Sequence, residues 1–76
     1  MCYVYSLQYC PNCDELKKSL MERGIEYKEK LLDDIDVITD LLFDGVVVTE
    51  APILHYNDTY YQPSDLFSGG SLHLPL

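Results

Sequence analysis

Apolar and polar positions follow two periods along this chain, and the switches between them mark its elements. Cys2-Tyr3-Val4-Tyr5 is a β-branched and aromatic run ending at Ser6, the pattern of a strand buried on both faces. From Pro11 to Arg23 the period lengthens. Cys13, Leu16 and Leu20 recur at helical spacing, Lys17 and Lys18 face away, and Gly24 stands where a helix C-cap belongs. Proline is tolerated at the first helical position because its missing N–H would be unpaired there anyway. Pro11 therefore marks the helix start and Cys10 its N-cap.

Ile25 to Leu32 returns to period two, with Ile25, Tyr27, Glu29 and Leu31 on one side and charged residues on the other. This predicts a half-exposed strand near a sheet edge. Asp33 or Asp34 then caps a second helix with an apolar stripe of Ile35, Ile38, Leu41 and Leu42, closed by Gly45. Val46 to Val48 favours extended structure but is too short to assign. Ile53 to Tyr56 and Thr59 to Tyr61 flank Asn57-Asp58, residues that tolerate the positive φ of a tight hairpin turn. Pro63-Ser64-Asp65 starts a short helix through Leu66 and Phe67, stopped by Gly69 and Gly70, and the tail from Ser71 to Leu76 packs on the body or frays. The predicted order is β-α-β-α-β-β-α, an α/β chain whose hairpin adds antiparallel strands to a four-stranded mixed sheet.

Seventy-six residues leave room for one core, so residues 1–76 are read as a single domain. No apolar run approaches the roughly 18 to 20 residues that span a bilayer, and the N-terminus lacks a basic segment followed by an apolar one. A soluble, cytoplasmic protein is expected. Thirteen acidic against five basic side chains give a net charge of −8, which repels phosphate backbones and anionic lipid. Neither nucleic acid nor membrane is an expected partner. The charge favours a basic docking surface on another protein, although acidic surfaces commonly serve solubility alone. The three cysteines, Cys2, Cys10 and Cys13, are too few for the disulfide framework of a small secreted domain.

Cys10-Pro11-Asn12-Cys13 places a C-x-x-C between a strand and a helix, the context in which this spacing reads as redox chemistry. Two intervening residues in a first helical turn let the sulfurs bond while the first stays at the exposed helix end. Unpaired N–H groups and the helix dipole there stabilise an anion, so Cys10 should ionise below the pKa of about 8.5 of a free cysteine. Cys10 is the expected nucleophile and Cys13 the resolving thiol. Lys17, one turn beyond Cys13, either assists ionisation or is simply solvated. The charged run Lys28-Glu29-Lys30 and the acids Asp33, Asp34 and Asp36 read as solvated faces or helix-start charges. Tyr9, beside the nucleophile, is a candidate to shape a substrate groove.

A C-x-x-C is also half of a metal site. A zinc centre, or a metal- or iron–sulfur-cluster-binding module, needs further ligands, and the candidates Cys2, His55 and His73 show no paired spacing. Cys2 falls in a buried strand, where it reads as a small core hydrophobe.

The stretch Tyr5-Ser6-Leu7-Gln8-Tyr9-Cys10-Pro11-Asn12-Cys13, its amphipathic helix and Arg23-Gly24-Ile25-Glu26-Tyr27 resemble the N-terminal half of a glutaredoxin. Ala51-Pro52-Ile53-Leu54 resembles the segment in which thioredoxin-fold proteins carry a cis-proline facing the dithiol. The resemblance implies a minimal thioredoxin-like fold with helices on both faces of the sheet, and a thiol–disulfide oxidoreductase acting on protein or glutathione-mixed disulfides. It further implies a cis bond at Pro52, strand-like pairing of substrate with Ala51, and Thr49 and Glu50 flanking the groove. Pro11 belongs to the same substrate surface. The chain departs from the family where glutathione is usually bound. Tyr61-Gln62-Pro63-Ser64-Asp65 lacks the Gly-Gly pair before the last helix, leaving Ser64 and Asp65 as candidates at that helix start, and Asn12 stands where many members carry tyrosine. The implied reductant is glutathione as a co-substrate or a thioredoxin-reductase-like flavoenzyme. No resident cofactor is implied, and a monomer is expected.

Overall fold

The protein is described from a computed structural model covering residues 2–75. Strand β1 (Cys2–Ser6) leads to helix α1 (Pro11–Glu22), strand β2 (Lys28–Leu31), helix α2 (Ile35–Phe43) and the hairpin of β3 (Ile53–Tyr56) and β4 (Thr59–Tyr61). A single turn, α3 (Pro63–Leu66), then precedes two short strands, β5 (Phe67–Ser68) and β6 (Ser71–Leu72). The main sheet has four strands in the order β2-β1-β3-β4; β1 and β2 are parallel, and the other two pairings are antiparallel. Two parallel strands joined by a helix must cross over a sheet face, whereas the two-residue turn suffices for β3 and β4. Asn57 and Asp58 both adopt positive φ, 51° and 63°, as the hairpin requires.

Alternation along β1 builds a core on each face of the sheet. Cys2 and Val4 join Leu54 of β3 beneath Leu16 and Leu20 of α1 and Leu66 of α3. Tyr5 and Ile53 point the other way, packing with Leu32, Leu41 of α2 and Val46. Helices thus lie on both faces, α1 and α3 on one and α2 on the other.

The sequence expectation is corrected at three places. Strand β2 is shorter than Ile25 to Leu32: the Gly24 and Ile25 N–H groups bond back to Met21 and Leu20 carbonyls at 3.0 and 2.9 Å, keeping the chain in the cap of α1. The stripe assigned to α2 is largely exposed; of Ile35, Ile38, Leu41 and Leu42 only Leu41 is fully buried. Helix α3 stops at Leu66, and Gly69 and Gly70 form the turn of the β5–β6 hairpin instead of a helix stop. The order is therefore β-α-β-α-β-β-α-β-β. The tail is anchored as far as Leu74, with Leu72 and Leu74 on the first core and the His73 N–H donating to the Leu66 carbonyl at 2.6 Å; Leu76 lies outside the described residues. Val46 to Val48 forms no strand: Val46 is buried and its N–H bonds to the Leu41 carbonyl at 2.8 Å. Among the described residues no helix is long and apolar enough to cross a membrane.

Candidate functional site

Strand β1 ends at the buried Ser6, and a three-residue turn carries the chain to Cys10. Tyr9 completes that turn at φ 57°, a left-handed conformation that costs a non-glycine residue on the order of 1 kcal/mol, and its side chain is 97% exposed. Cys10 then caps α1 from an extended backbone. Its carbonyl accepts the Asp14 N–H at 3.1 Å, and its Sγ accepts the Cys13 N–H at 3.1 Å. The sulfur thus occupies the place of a capping oxygen, at the end where helix N–H groups lack internal partners.

Cys10 and Cys13 are joined as a disulfide with their Cα atoms 5.2 Å apart. The two halves differ in access: Cys10 is half-buried and Cys13 is 0% exposed. The helical spacing of Cys13, Leu16 and Leu20 enforces this difference, since all three share the inward face of α1. An incoming thiol or disulfide therefore meets Cys10 first.

Strand register gathers most of the other sequence-predicted site residues at the same end of the sheet. Tyr5 is paired with Ile53, so Ala51 and Pro52 precede β3 at the end where β1 runs toward Cys10. The Ala51–Pro52 peptide is cis, as the resemblance implied; Pro52 is buried and Ala51 half-buried. Leu54 is paired with Tyr61, which brings the start of α3 to this end as well. There Ser64 and Asp65 are exposed, and Asp65 Oδ2 accepts the Gln62 N–H at 3.0 Å, capping the chain's own turn. Pro11, Asn12, Thr49 and Glu50 are exposed. Cys2, His55 and His73 do not gather with the cysteine pair; among the described residues no three His, Cys, Asp or Glu side chains converge as metal ligands would. Burial pushes the Cys2 thiol pKa up, holding it as an inert thiol.

One set of polar contacts beside the pair was not legible as such in the sequence. The Ser6 hydroxyl donates to Glu29 Oε2 at 2.5 Å, and Lys17 Nζ donates to the same oxygen at 2.8 Å while lying 3.6 Å from Asp14 Oδ1. Glu29 and Lys17 are thus not simply solvated: they tie edge strand β2 to α1 and to the last residue of β1, one helical turn from Cys13. The signal that was available is the alternation placing Glu29 on the apolar side of its strand, opposite a lysine on the neighbouring helix. The Lys17 ammonium first, and the Ser6 hydroxyl second, hold the Glu29 carboxyl below its ordinary pKa, while the hydrogen bond to Glu29 holds the Lys17 ammonium above its own.

The signs fix a pH dependence. A depressed carboxylate adds stability that is complete above the unfolded pKa of about 4.3 and is lost as pH falls through the folded value. Glu29→Gln should lower stability near neutral pH by about 1 kcal/mol, the scale of a partly exposed charged hydrogen bond. The gap from the parent protein should close as pH falls from about 5 to about 3. Urea unfolding at each pH measures it, and a gap independent of pH would contradict this account of Glu29.

Compared with models of protein families and with curated protein sequences, the chain finds no match.

Proposed function

We propose that this chain is a dithiol, glutaredoxin-like thiol–disulfide oxidoreductase on a thioredoxin-like fold, with β5 and β6 as an addition after α3. The observation that carries the reading is the asymmetric pair at the start of α1: an accessible sulfur accepting a helix N–H and bonded to a fully buried one. The cis-proline segment at the same end of the sheet supports it.

In the reduced protein the Cys10 thiolate attacks one sulfur of a substrate disulfide, forming a mixed disulfide and releasing the other substrate sulfur as a thiolate, which takes up a proton. Cys13, deprotonated, then attacks Cys10 Sγ. The mixed disulfide breaks, the second substrate thiol departs, and the protein is left as the Cys10–Cys13 disulfide. Two electrons have moved from protein to substrate. Two glutathione molecules restore the dithiol, becoming glutathione disulfide; a flavoenzyme reductase delivers the same two electrons directly.

Helix-end stabilisation of Cys10 raises its thiolate fraction while lowering its intrinsic nucleophilicity, so the optimum lies with a pKa near ambient pH. Lys17 has its charge engaged by Glu29 and Asp14, so the capping N–H groups carry the stabilisation of Cys10. Tyr9, Pro11 and Ala51 form the substrate surface around Cys10, with the buried Pro52 beneath Ala51, and Ser64 and Asp65 extend it. Disulfide-containing proteins are the substrates, and the reducing cytoplasm is the compartment in which such a monomeric carrier works without a resident cofactor.

The test is steady-state reduction of a glutathione-mixed disulfide on a small thiol by the reduced protein, with glutathione alone or a thioredoxin-reductase-type flavoenzyme as donor. Turnover with either donor supports an oxidoreductase and names its reductant. Absence of turnover with both would overturn the reading.

A further inference from the structure

The charge of this chain is divided along its length. Residues 1–30 hold five acids and all five lysines and arginines, whereas residues 31–76 hold the other eight acids and no lysine or arginine, so the entire net charge of −8 lies in the second part. Helix α2 sits at the centre of that acidic part. Asp33, Asp34, Asp36, Asp40 and Asp44 fall on it or at its ends, and no base occurs between Lys30 and His55.

The same helix leaves apolar side chains in water. Leu41, with the partly buried Val37, packs it on the core, yet Ile35 is 75% exposed, Leu42 54% and Phe43 86%, and Val47 just beyond it is 64% exposed. Ile35 and Leu42, seven residues apart, fall on one line along the helix, while Phe43, seven residues after Asp36, lies roughly a quarter-turn round from it. Asp36 and Asp40 form an acidic border on that Phe43 side. Outward apolar side chains edged by like charges are not what solubility alone selects, since charge there without the phenylalanine would serve better.

We propose that this face of α2 is a docking surface for a basic amphipathic segment of another protein, with apolar anchors on Ile35, Leu42 and Phe43 and lysine or arginine groups against Asp36 and Asp40. Charge complementarity selects this occupant. A second copy laid face to face would oppose identical acidic borders, while nucleic acid and anionic lipid are repelled by the same carboxylates. Lys28 and Lys30 lie on the sheet face that α2 covers, in edge strand β2, but among the described residues neither forms an ion pair with the border, and Lys30 rests over the Tyr3 ring, 5.2 Å from its centre. The surface is independent of the redox reading, because it needs neither cysteine. It nevertheless begins at the disulfide end of the sheet, where the Leu32 N–H bonds to the Ser6 carbonyl just before α2.

The experiment titrates the isotopically labelled full chain with a helical peptide of about 18 residues carrying leucines on one face and lysines on the other, a glutamate-for-lysine counterpart and a scrambled lysine–leucine peptide. Amide shifts are expected along residues 35–47 with the first peptide only. Affinity should fall at least about tenfold in Ile35→Ser and in Phe43→Ser, and again in the Asp36→Asn/Asp40→Asn pair. Both serine positions are exposed, and an unchanged unfolding midpoint confirms that these variants fold. Equal binding of the scrambled peptide, or binding undiminished by the serine variants, would reduce the effect to diffuse charge attraction and overturn the proposal. So would self-association abolished by Phe43→Ser, which would make a second copy the occupant.

Discussion

Cys10→Ser is expected to abolish disulfide exchange, lowering the rate by at least about a thousandfold, because a serine hydroxyl is not ionised near neutral pH and only the anion attacks sulfur. Cys13→Ser should behave differently. Cys10 remains at the accessible end of α1 and still attacks, but nothing displaces the product, so a one-to-one mixed disulfide accumulates on Cys10. The division follows from the burial difference between the two sulfurs, which lets a substrate reach one and not the other. Mass spectrometry after mixing with a disulfide substrate reads both results. Cys2→Ala should exchange like the parent protein, since Cys2 is buried and burial raises its pKa. Equal trapping by Cys10→Ser and Cys13→Ser would contradict the assigned roles.

Leu54→Ala is the structural counterpart. Leu54 is 0% exposed in the central strand β3, paired with Val4 on one side and Tyr61 on the other, and meets Leu16, Leu20 and Leu66 from two helices. Truncating it removes apolar contact and leaves a cavity bounded by three elements that cannot collapse independently, at a cost of about 2 to 5 kcal/mol. A chain of this length has a total stability of roughly 4 to 11 kcal/mol, so the variant should lose a large share of it and melt at least about 10 °C lower. Circular dichroism during thermal unfolding measures this. Phe43→Ser, altering a larger but exposed side chain, should stay within about 0.5 kcal/mol of the parent. A loss under about 1 kcal/mol for Leu54→Ala would mean that the two faces of the sheet are not packed as described.

The contrast between Leu54 and Phe43 shows what the sequence reveals and where it stops. Period-two and helical patterns are local, and they identify β1, α1, the β3–β4 hairpin and the C-x-x-C at a helix start, because each is set by neighbouring residues. Helix α2 is different. Its local pattern selects the stripe Ile35, Ile38, Leu41 and Leu42, yet Val37 and Phe43 are apolar too, and only the position of the sheet decides that Leu41 is covered and Phe43 is not. The early end of the extended run before β2 is likewise decided by the Gly24 and Ile25 bonds to α1, and Gly69-Gly70 serves a turn as readily as a helix stop. Contacts between distant residues are the least legible: Ser6, Lys17 and Glu29 meet only once the parallel β1–β2 pairing is made. Nothing in the sequence around Tyr9 signals its left-handed backbone, because the turn into Cys10, not the residue's own preference, demands it.

The most direct test of the central claim is anaerobic equilibration of metal-free protein with glutathione redox buffers, quantifying the Cys10–Cys13 disulfide and any glutathione adduct by mass. The account predicts a disulfide that forms and breaks reversibly at a potential between about −200 and −270 mV, with any adduct confined to Cys10. A value near the upper end with a transient adduct points to glutathione as reductant, and one near the lower end without an adduct points to a flavoenzyme. A pair that forms no reversible disulfide at any poise would contradict the account.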